Sequence, residues 1–247
     1  MADNVSSTKV RLDVLLVARG LAESRDWAQR LIRAGEVRVN GELLTHPDRR
    51  VDANASVELI APPKYVSRGG FKLEAALDYF GVDPRGLVCA DVGSSTGGFT
   101  DCLLQRGAAR VYAIDVGSNQ LHWRLRNDPR VIAMEGVNAR YLFTLPEPVD
   151  LVVIDVSFIS LRLIAPTAGA WLREGGCMIA LIKPQFEAGR SQVGKGGIVR
   201  DPQVHEQVVG EVCAHMAQRG WQTGGVIPSP ILGADGNREF LALFTRA

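Results

Sequence analysis

The sequence predicts a doubly wound α/β protein: a mostly parallel sheet with an antiparallel closing strand, preceded by a small α+β domain. Two observations support the sheet. Apolar strands alternate with helices from residue 87 to residue 219, and a glycine-rich turn follows the first strand. The last two apolar segments, residues 222–228 and 238–245, have no helix between them, which predicts antiparallel pairing.

Length and composition set the domain plan. At 247 residues with 46% hydrophobic residues, the chain can form two cores. We predict a small domain at residues 1–60, a linker at 61–68 that contains two prolines, and the α/β domain at 69–247. In the α/β domain we expect strands near residues 87–92, 110–115, 130–134, 149–154 and 176–182, and helices near 97–106, 119–127, 160–172 and 203–219.

The small domain begins with two predicted helices. Residues 11–20 have helical apolar spacing that stops at Gly20, and Ser24 is the expected N-cap of a second helix at residues 25–34. Spacing along the second helix predicts a core face made of Trp27, Leu31 and Ala34. Its basic residues project from another face: Arg25, Arg30 and Arg33.

Short strands and an entry helix connect this domain to the larger one. Residues 37–39 and 56–60 alternate as strands do, and Asn40-Gly41 is a hairpin-turn signal. A helix is then expected at residues 68–80, after a Gly-Gly entry. We expect its apolar residues Phe71, Ala75 and Leu77 to pack on the α/β domain, which leaves Lys72 facing the crevice at the strand ends.

The glycine-rich turn, Asp91-Val-Gly-Ser-Ser-Thr-Gly-Gly-Phe-Thr-Asp101, has the position of a nucleotide-binding loop. Its glycine spacing differs from the dinucleotide fingerprint, and no Lys-Ser/Thr pair follows as in a P-loop. These departures argue against a dehydrogenase or an NTPase. An acid that ends the second strand, Asp115, is well placed for ribose hydroxyls. The pattern suits S-adenosylmethionine, a nucleoside with a cationic tail that carries no phosphate.

The other strand ends add candidate site residues. Asn138-Ala139 follows the third strand and could contact an adenine edge, Asp155 ends the fourth, and Lys183 ends the fifth. Asp155 alone could equally well be an acid that caps the next helix. Lys183, at the tip of an apolar strand and immediately before a proline, is poorly explained as a charge that only aids solubility. The predicted cofactor-binding residues are Asp91, Gly93, Ser94, Ser95, Thr96, Gly97, Gly98, Phe99, Asp115, Asn138, Ala139 and Asp155.

The N-terminal segment resembles the small RNA-binding domain first known from the fourth small-subunit ribosomal protein. The similar segments are Leu12-Asp-Val-Leu-Leu, Leu31-Ile-Arg-Ala-Gly-Glu-Val and Val39-Asn-Gly. In that family basic residues contact structured RNA, mostly at phosphates. The resemblance assigns this role to Arg11, Arg25, Arg30 and Arg33. The alternative is an ordinary solvated helix face.

Four further motifs resemble those of the FtsJ-like ribose 2′-O-methyltransferases. They are the glycine-rich turn, Asp155-Val-Ser-Phe-Ile-Ser, Lys183-Pro-Gln-Phe-Glu and Gly236-Asn-Arg-Glu-Phe-Leu. With the N-terminal domain and Ser67-Arg-Gly-Gly-Phe-Lys-Leu, residues 9 to 245 resemble the TlyA family, also called haemolysin A. This resemblance implies a Rossmann-like methyltransferase sheet, a catalytic tetrad and a substrate, cytidine ribose of ribosomal RNA in one or both subunits. By motif the tetrad is Lys72, Asp155, Lys183 and Glu239.

The chemistry of ribose methylation is compatible with this tetrad. A ribose hydroxyl is a weak nucleophile at neutral pH, so transfer needs a base or a trap for the developing oxyanion. Lys183 is the candidate base, because the neighbouring Lys72 and a dry crevice favour its neutral form. Asp155 and Glu239 would orient the two ammonium groups. No metal is required, and the four histidines share no motif.

The glycine-rich, basic segment at residues 187–200 follows the Lys183 strand. It could be a lid that orders over RNA or only a flexible connection, and the sequence favours neither. As a lid it would bring Arg190, Lys195 and Arg200 to phosphates, and Arg68 is a further RNA-binding candidate.

Other classes of function are less well supported. The four cysteines form no C-x-x-C motif, which suggests reduced core residues of a cytoplasmic protein. No apolar stretch reaches membrane-span length, which disfavours a membrane-lytic role. An Asn/Asp-Pro-Pro-Tyr motif of base methyltransferases is absent after the fourth strand. A non-catalytic RNA-binding or ribosome-assembly factor is the remaining rival, and loss of a tetrad residue would have favoured it.

Overall fold

The computed structural model describes residues 8–22, 24–60, 64–141, 143–233 and 236–246. The chain divides into two compact units, Met1–Lys64 and Tyr65–Ala247. Part of the predicted linker, residues 61–63, lies outside the described residues. Of the remainder, Lys64 belongs to the first unit, and the residues from Tyr65 to Arg68 belong to the second.

The first unit is a small α+β fold with two antiparallel sheets. Its elements in chain order are β1 (Lys9–Arg11), α1 (Leu12–Ala18), α2 (Arg25–Arg33), β2 (Val37–Val39), β3 (Glu42–Leu43), β4 (Arg50–Asp52) and β5 (Val57–Leu59). Strand β1 pairs with β4, and β2 lies between β3 and β5. The Asn40-Gly41 turn joins β2 to β3 with both residues at positive φ, as the sequence predicted.

The core of this unit corrects the predicted face of α2. Ala28 and Ile32 are fully buried there, whereas Trp27 is 36% exposed. Leu31 is half-buried and packs against the core, as predicted, whereas Ala34 is exposed, so the predicted core face was wrong for Trp27 and Ala34. Ser24 is the N-cap, as expected, and it accepts a hydrogen bond from the Trp27 N–H at 3.2 Å. Ala28 and Ile32, which are also separated by about one turn, share this core with Leu12, Leu15 and Leu16 of α1.

The second unit is a doubly wound α/β sheet, as predicted. Its elements are α3 (Gly69–Phe80), β6 (Val88–Val92), α4 (Gly98–Gln105), β7 (Arg110–Asp115), α5 (Trp123–Arg126), β8 (Val131–Glu135), β9 (Val149–Ile154), α6 (Leu161–Gly169), β10 (Leu172–Ile182), α7 (Pro184–Glu187), α8 (Pro202–Ala217), β11 (Trp221–Pro228) and β12 (Phe240–Arg246). The seven strands have the order β11-β12-β10-β9-β6-β7-β8.

Strand directions place the crevice. Strands β10, β9, β6, β7 and β8 are parallel, and β12 pairs antiparallel with both β10 and β11, as expected for the closing strands. The sheet starts at β6 and continues on one side to β7 and on the other to β9. Ligands of such sheets bind at this switch of strand order, beyond the carboxyl ends of the strands. The expected crevice therefore lies where β6 ends at Val92 and β9 ends at Ile154.

Apolar cores cover both faces of the sheet. One contains residues of α6 and α8, and the other contains residues of α3 and α4. In α3 the buried apolar residues are Leu73, Ala76 and Leu77, while Phe71 is 38% exposed and Ala75 is only half-buried. The expected packing of Leu77 is therefore confirmed, and Phe71, although partly exposed, packs its ring edge to face with the buried Tyr65 at 5.3 Å. Among the described residues, none of the helices is long and apolar enough to cross a membrane.

Candidate active site

The glycine-rich turn begins at Gly93, where the chain leaves β6 and passes close to β9. Gly93 has a φ of +81°, and its N–H and that of Ser94 both donate to the Ile114 carbonyl of β7. A Cβ atom at Gly93 would lie 2.5 Å from the Asp155 carbonyl oxygen. Only glycine therefore allows this turn to approach the end of β9 so closely. The result is a crevice between two strand ends.

Asp91 lies beneath this turn and is fully buried. Thr100 donates two hydrogen bonds to its Oδ2, from the backbone N–H at 2.9 Å and from the hydroxyl at 2.6 Å. The other oxygen, Oδ1, has no partner among the described residues. Burial, together with the nearby acids Asp155 and Asp115, raises the pKa of Asp91 to about 7.

Asp115 closes β7 and is held by backbone groups. Its Oδ2 accepts from the Ser95 N–H at 2.8 Å, and its Oδ1 accepts from the Gly117 N–H at 2.7 Å. Each oxygen keeps a second lone pair for a ligand. Asp115 lines a cavity of about 480 Å³ together with Asn138 and Ala139. This volume is in the usual range of small-molecule sites.

The four tetrad residues line a second cavity, of about 430 Å³. They form two ion pairs. Lys72 Nζ lies 2.5 Å from Glu239 Oε2, and both side chains are at least nine-tenths buried. Lys183 Nζ lies 2.6 Å from Asp155 Oδ1 and donates to Ser157 Oγ at 2.9 Å. The Lys183–Asp155 contact is an ion pair whose geometry is not that of a hydrogen bond, since Asp155 Oδ1 accepts none among the described residues.

The two cavities meet. They share five lining residues, which are Gly93, Ser95, Asp155, Ser157 and Phe158. A ligand in the Asp115 cavity could therefore reach the ion pairs of the tetrad through the point where β6 and β9 end. The predicted cofactor residues divide accordingly. Asp115, Asn138 and Ala139 line the Asp115 cavity, and Ser94, Thr96, Gly98 and Phe99 line the tetrad cavity. Asp91 and Gly97 lie behind the turn and line neither.

Sequence reasoning gave no role to three residues at the cavity. Ser157 accepts the hydrogen bond from Lys183. Phe158 is 91% exposed and has a φ of +63°, a strained conformation for a bulky residue. Its ring lies 5.1 Å from that of Phe186, which in turn lies 6.0 Å from Lys183 Nζ. Both phenylalanines belong to motifs that the sequence identified, but exposure and strain are properties that no motif reveals.

The predicted RNA-binding arginines of the first unit are held by acids and amides. Arg11 and Arg25 both bind the buried carboxylate of Asp13, Arg30 pairs with Asp26 at 2.8 Å, and Arg33 donates to Gln29 at 3.3 Å. Hydrogen bonding by Arg11 is the main cause of the lowered pKa of Asp13. In the second unit Arg68 lines the tetrad cavity, and Arg190 and Lys195 are exposed. Their contacts with RNA stay a prediction.

The segment at residues 187–200 is held at both ends. At its start the Glu187 side chain is buried, and near its end Val199 N–H donates to the buried Asn237 amide oxygen at 3.0 Å. His205 Nε2 lies 2.9 Å from the Val199 carbonyl oxygen, so this histidine has a structural partner. The residues between are mostly exposed, and so is Arg200 at the end of the segment.

Two family models match the chain. The FtsJ-like methyltransferase model matches residues 65–246, and the S4 domain model matches residues 10–57. The first match contains the whole of the crevice and the tetrad. The second contains the Asp13 network and the arginines bound to it.

Several known proteins are similar over nearly the whole chain. A provisionally named rRNA methyltransferase of Bacillus subtilis, YqxC, is 52% identical and the match covers 96% of this chain and 86% of the relative. The 16S/23S rRNA (cytidine-2′-O)-methyltransferase TlyA of Mycobacterium tuberculosis is 45% identical, with 94% and 88% covered. A solved structure from Streptococcus thermophilus, provisionally called a hemolysin, is 45% identical and has a TM-score of 0.74. The match covers 98% of this chain and 90% of the chain in that structure.

Proposed function

The chain belongs to the family of FtsJ-like methyltransferases, and on this premise we propose that it methylates a ribose 2′-hydroxyl of ribosomal RNA. The methyl donor would be S-adenosylmethionine and the target a cytidine. The observation that carries the proposal is the pairing of Lys183 with Asp155 and of Lys72 with Glu239 at one cavity. That cavity joins a nucleoside-sized one beside Asp115.

The Asp115 cavity fits the nucleoside part of the donor. Asp115 has a free lone pair on each oxygen for the ribose hydroxyls, and Asn138 and Ala139 would lie along the adenine. The carboxylates of Asp115 and Asp155 line this cavity and would suit a cationic ligand. When bound, the donor supplies an activated methyl group on a sulfonium.

The tetrad would manage the proton and the charge of the ribose oxygen. Lys183 would accept the hydroxyl proton, with Asp155 and Ser157 holding its amine in place. Lys72 would stabilise the developing oxyanion, and Glu239 fixes its ammonium within 2.5 Å. The protein's main contribution beyond this is alignment of the two reactants, which is worth several orders of magnitude in rate.

RNA recognition would be divided between the two units. The arginines near Asp13 would contact phosphates, in a way that depends on RNA shape. Phe158, exposed beside both cavities, offers an aromatic face to the base of the target nucleotide. Arg68 at the tetrad cavity is placed for a neighbouring phosphate. A ribosomal subunit, which presents folded RNA, is the expected partner.

The direct test is transfer of label from S-adenosylmethionine to purified 30S and 50S subunits and to free rRNA. We expect the intact protein to label at least one substrate and Lys183→Ala to label it at least about 100-fold more slowly. Arg85→Ala, which removes an exposed cation of the second unit that lines neither cavity, is the control and should retain full activity. Donor binding without labelling of any RNA would contradict the proposal and favour a non-catalytic RNA-binding factor.

A cytoplasmic location stays a prediction. The four cysteines are free in the structure, as expected from their spacing, and Cys89 and Cys102 are buried. A substrate assembled inside the cell would be consistent with that location.

A further inference from the structure

Two loops present the Lys183–Asp155 pair to the cavity. The Asp155 loop, residues 155–160, follows β9 and leads into α6. The Lys183 loop, residues 183–187, follows β10 and contains the single turn of α7. The two strands are parallel neighbours, so the loops leave the same edge of the sheet side by side. Nothing in strand pairing alone fixes how these loops lie relative to each other beyond that edge.

Glu187 joins the two loops. Its carboxylate accepts from the Ser160 hydroxyl at 2.6 Å and from the Leu161 N–H at 2.5 Å. Arg162 adds a charged contact from its Nε at 3.3 Å and donates from Nη2 to the Glu187 carbonyl oxygen at 3.1 Å. One side chain at the end of the Lys183 loop thus holds the end of the Asp155 loop and the first turn of α6.

The burial of Glu187 makes this link specific. Its side chain is only 2% exposed, while Arg162 is 30% exposed. A buried carboxylate is tolerated only where its charge is paired and its oxygens are hydrogen-bonded, and both conditions are met here. The N-terminus of α6 also attracts a negative charge. Removing the charge would leave the Leu161 N–H and the Ser160 hydroxyl with a weaker acceptor or with none.

The remaining contacts between the loops lie at the reaction cavity. They are the pair of Lys183 with Asp155, the hydrogen bond from Lys183 to Ser157, and the packing of Phe186 on Phe158. All of these residues line the tetrad cavity, whereas neither Glu187 nor its partners Ser160, Leu161 and Arg162 line either cavity described above. The Glu187 link lies outside both cavities, so it is separate from the contacts that a substrate would meet.

We propose that Glu187 is a positioning residue for the reaction: by joining the two loops it sets the distance between Lys183 and Asp155. This inference rests on the proposed function, because it concerns the same site. Glu187 touches neither substrate nor donor, so it acts only through the two loops. Its loss should lower the rate of the chemical step and leave the binding of both ligands nearly unchanged.

The kinetic test uses Glu187→Gln, which keeps the shape of the side chain but removes its charge. We expect kcat to fall roughly 10- to 100-fold, the cost of a small misplacement of reacting groups. The KM values for RNA and donor should stay within about twofold, because Glu187 lines neither cavity. Glu187→Ala should be slower still. Ser160→Ala should be milder than Glu187→Gln and should add little to it in the double variant, since both break one link.

Glu211→Gln is the matched control. Glu211 is the other acidic partner of Arg162, at 3.8 Å, and its side chain is 45% exposed. Its substitution removes one charge beside the same arginine without touching the loop link, so kcat should not change. Equal losses in Glu211→Gln and Glu187→Gln would overturn the proposal, as would an unchanged kcat in Glu187→Gln. A parallel loss of kcat, donor affinity and melting temperature would also overturn it, since that is the behaviour of a residue needed only for folding.

A second measurement requires no turnover. NMR of the side-chain amine of Lys183 in the ligand-free protein should show a fixed ion pair in the native chain and in Glu211→Gln, and altered signals in Glu187→Gln. This separates the two proposals. If no RNA is labelled but the Lys183 signal changes as expected, the proposed function fails while the positioning role stands. An unchanged Lys183 signal in Glu187→Gln overturns the positioning role whatever the activity.

Discussion

Asp13 in the first unit and Asp91 in the second are both fully buried carboxylates, yet their pKa values are shifted in opposite directions. Asp13 accepts hydrogen bonds from Arg11, Arg25 and Gln29, and the Arg11 bond is the main cause of its lowered pKa. The side chain of Asp91 accepts from Thr100 alone among the described residues, so desolvation dominates and raises its pKa.

The contrast shows that the partners of a buried acid, more than its burial, decide its charge. Asp13 carries its charge in every state of the folded protein, because the cations that neutralise it are part of the chain. Asp91 lies near two further acids, Asp155 and Asp115, and one of its oxygens has no partner in the described part of the chain. The first site is complete in itself. The second is electrostatically incomplete, as expected of a crevice that receives a cationic ligand.

The largest expected effect is a difference in the pH dependence of folding. The pKa of Asp91 is 3.8 in the unfolded chain and is raised to about 7 in the folded protein. The contribution of Asp91 to stability is therefore fully present below pH 3.8 and is lost as the pH rises toward 7. From pH 5 to pH 8 this group should lower the free energy of unfolding by about 3 kcal/mol, and Asp91→Asn should remove that decline. Urea unfolding at both pH values measures it. The same decline in native protein and variant would contradict the assignment, and the exposed Glu174→Gln serves as control.

Substitution of Asp13 should act on the first unit and in the opposite pH range. The pKa of Asp13 is lowered in the folded protein from its unfolded value of 3.8. The stabilisation by Asp13 is therefore present above pH 3.8 and is lost as the pH falls below that value. Asp13→Asn at pH 7 should cost about 1 to 3 kcal/mol, because the buried oxygens lose charge-assisted bonds. Hydrogen exchange of the α2 amides in the intact chain would report it. Asp26→Asn, at an exposed partner of Arg30, should lower the free energy of unfolding much less. Equal losses of stability in the two variants would contradict a network centred on Asp13.

Donor binding should be linked to the charge of Asp91. A cation in the crevice favours the ionised carboxylate, so affinity should rise as the pH increases through about 7. We expect S-adenosylmethionine to bind roughly fivefold more tightly at pH 7.5 than at pH 6, which is a modest coupling between two sites. Calorimetry would measure the affinity of the native protein and of Asp91→Asn at both pH values. Because both proteins bind the same ligand, the difference between them cancels the titration of the ligand itself. If the affinities of the two proteins had the same pH dependence, the charge of Asp91 would have no influence on donor binding.

The smallest expected effect concerns RNA binding by individual arginines. Arg25 is tied to the buried Asp13, whereas Arg30 pairs with the 72% exposed Asp26 across one helix turn. A guanidinium held in place loses less freedom on binding phosphate. Arg25→Gln should therefore weaken RNA binding more than Arg30→Gln, and removing a cation that binds one phosphate should reduce the slope of log affinity against log salt by about one. Filter binding at several salt concentrations measures both quantities. A larger decrease in RNA affinity for Arg30→Gln than for Arg25→Gln would contradict this prediction.

The fold and the location of the crevice could be predicted from sequence because they depend on local patterns. Strand and helix spacing gave the order of elements, and the turn after Asp91 marked the switch point. Lys72 and Glu239 are far apart in the chain but belong to recognisable motifs, and the structure brings them together. Their catalytic roles stay predictions until activity is measured.

The networks that hold these residues could not be predicted in the same way. The donors to Asp13 come from before α1 and from α2, and those to Glu187 come from an adjacent loop and helix, so neither spacing nor motif identifies them. Helical periodicity also misplaced the core face of α2, because Trp27 and Ile32 are both apolar and only packing against α1 distinguishes them. The exposed ring of Phe158 contradicts the general preference of aromatic residues for the interior.

We expect the methyl group to be attached to a ribose oxygen of the RNA. Labelled rRNA from the transfer reaction would be digested to nucleosides and separated by chromatography coupled to mass spectrometry. We predict that the label is found in 2′-O-methylcytidine, and that Lys183→Ala and Asp155→Asn both abolish this signal. Label in a base-methylated nucleoside, or undiminished 2′-O-methylcytidine in either variant, would contradict the account.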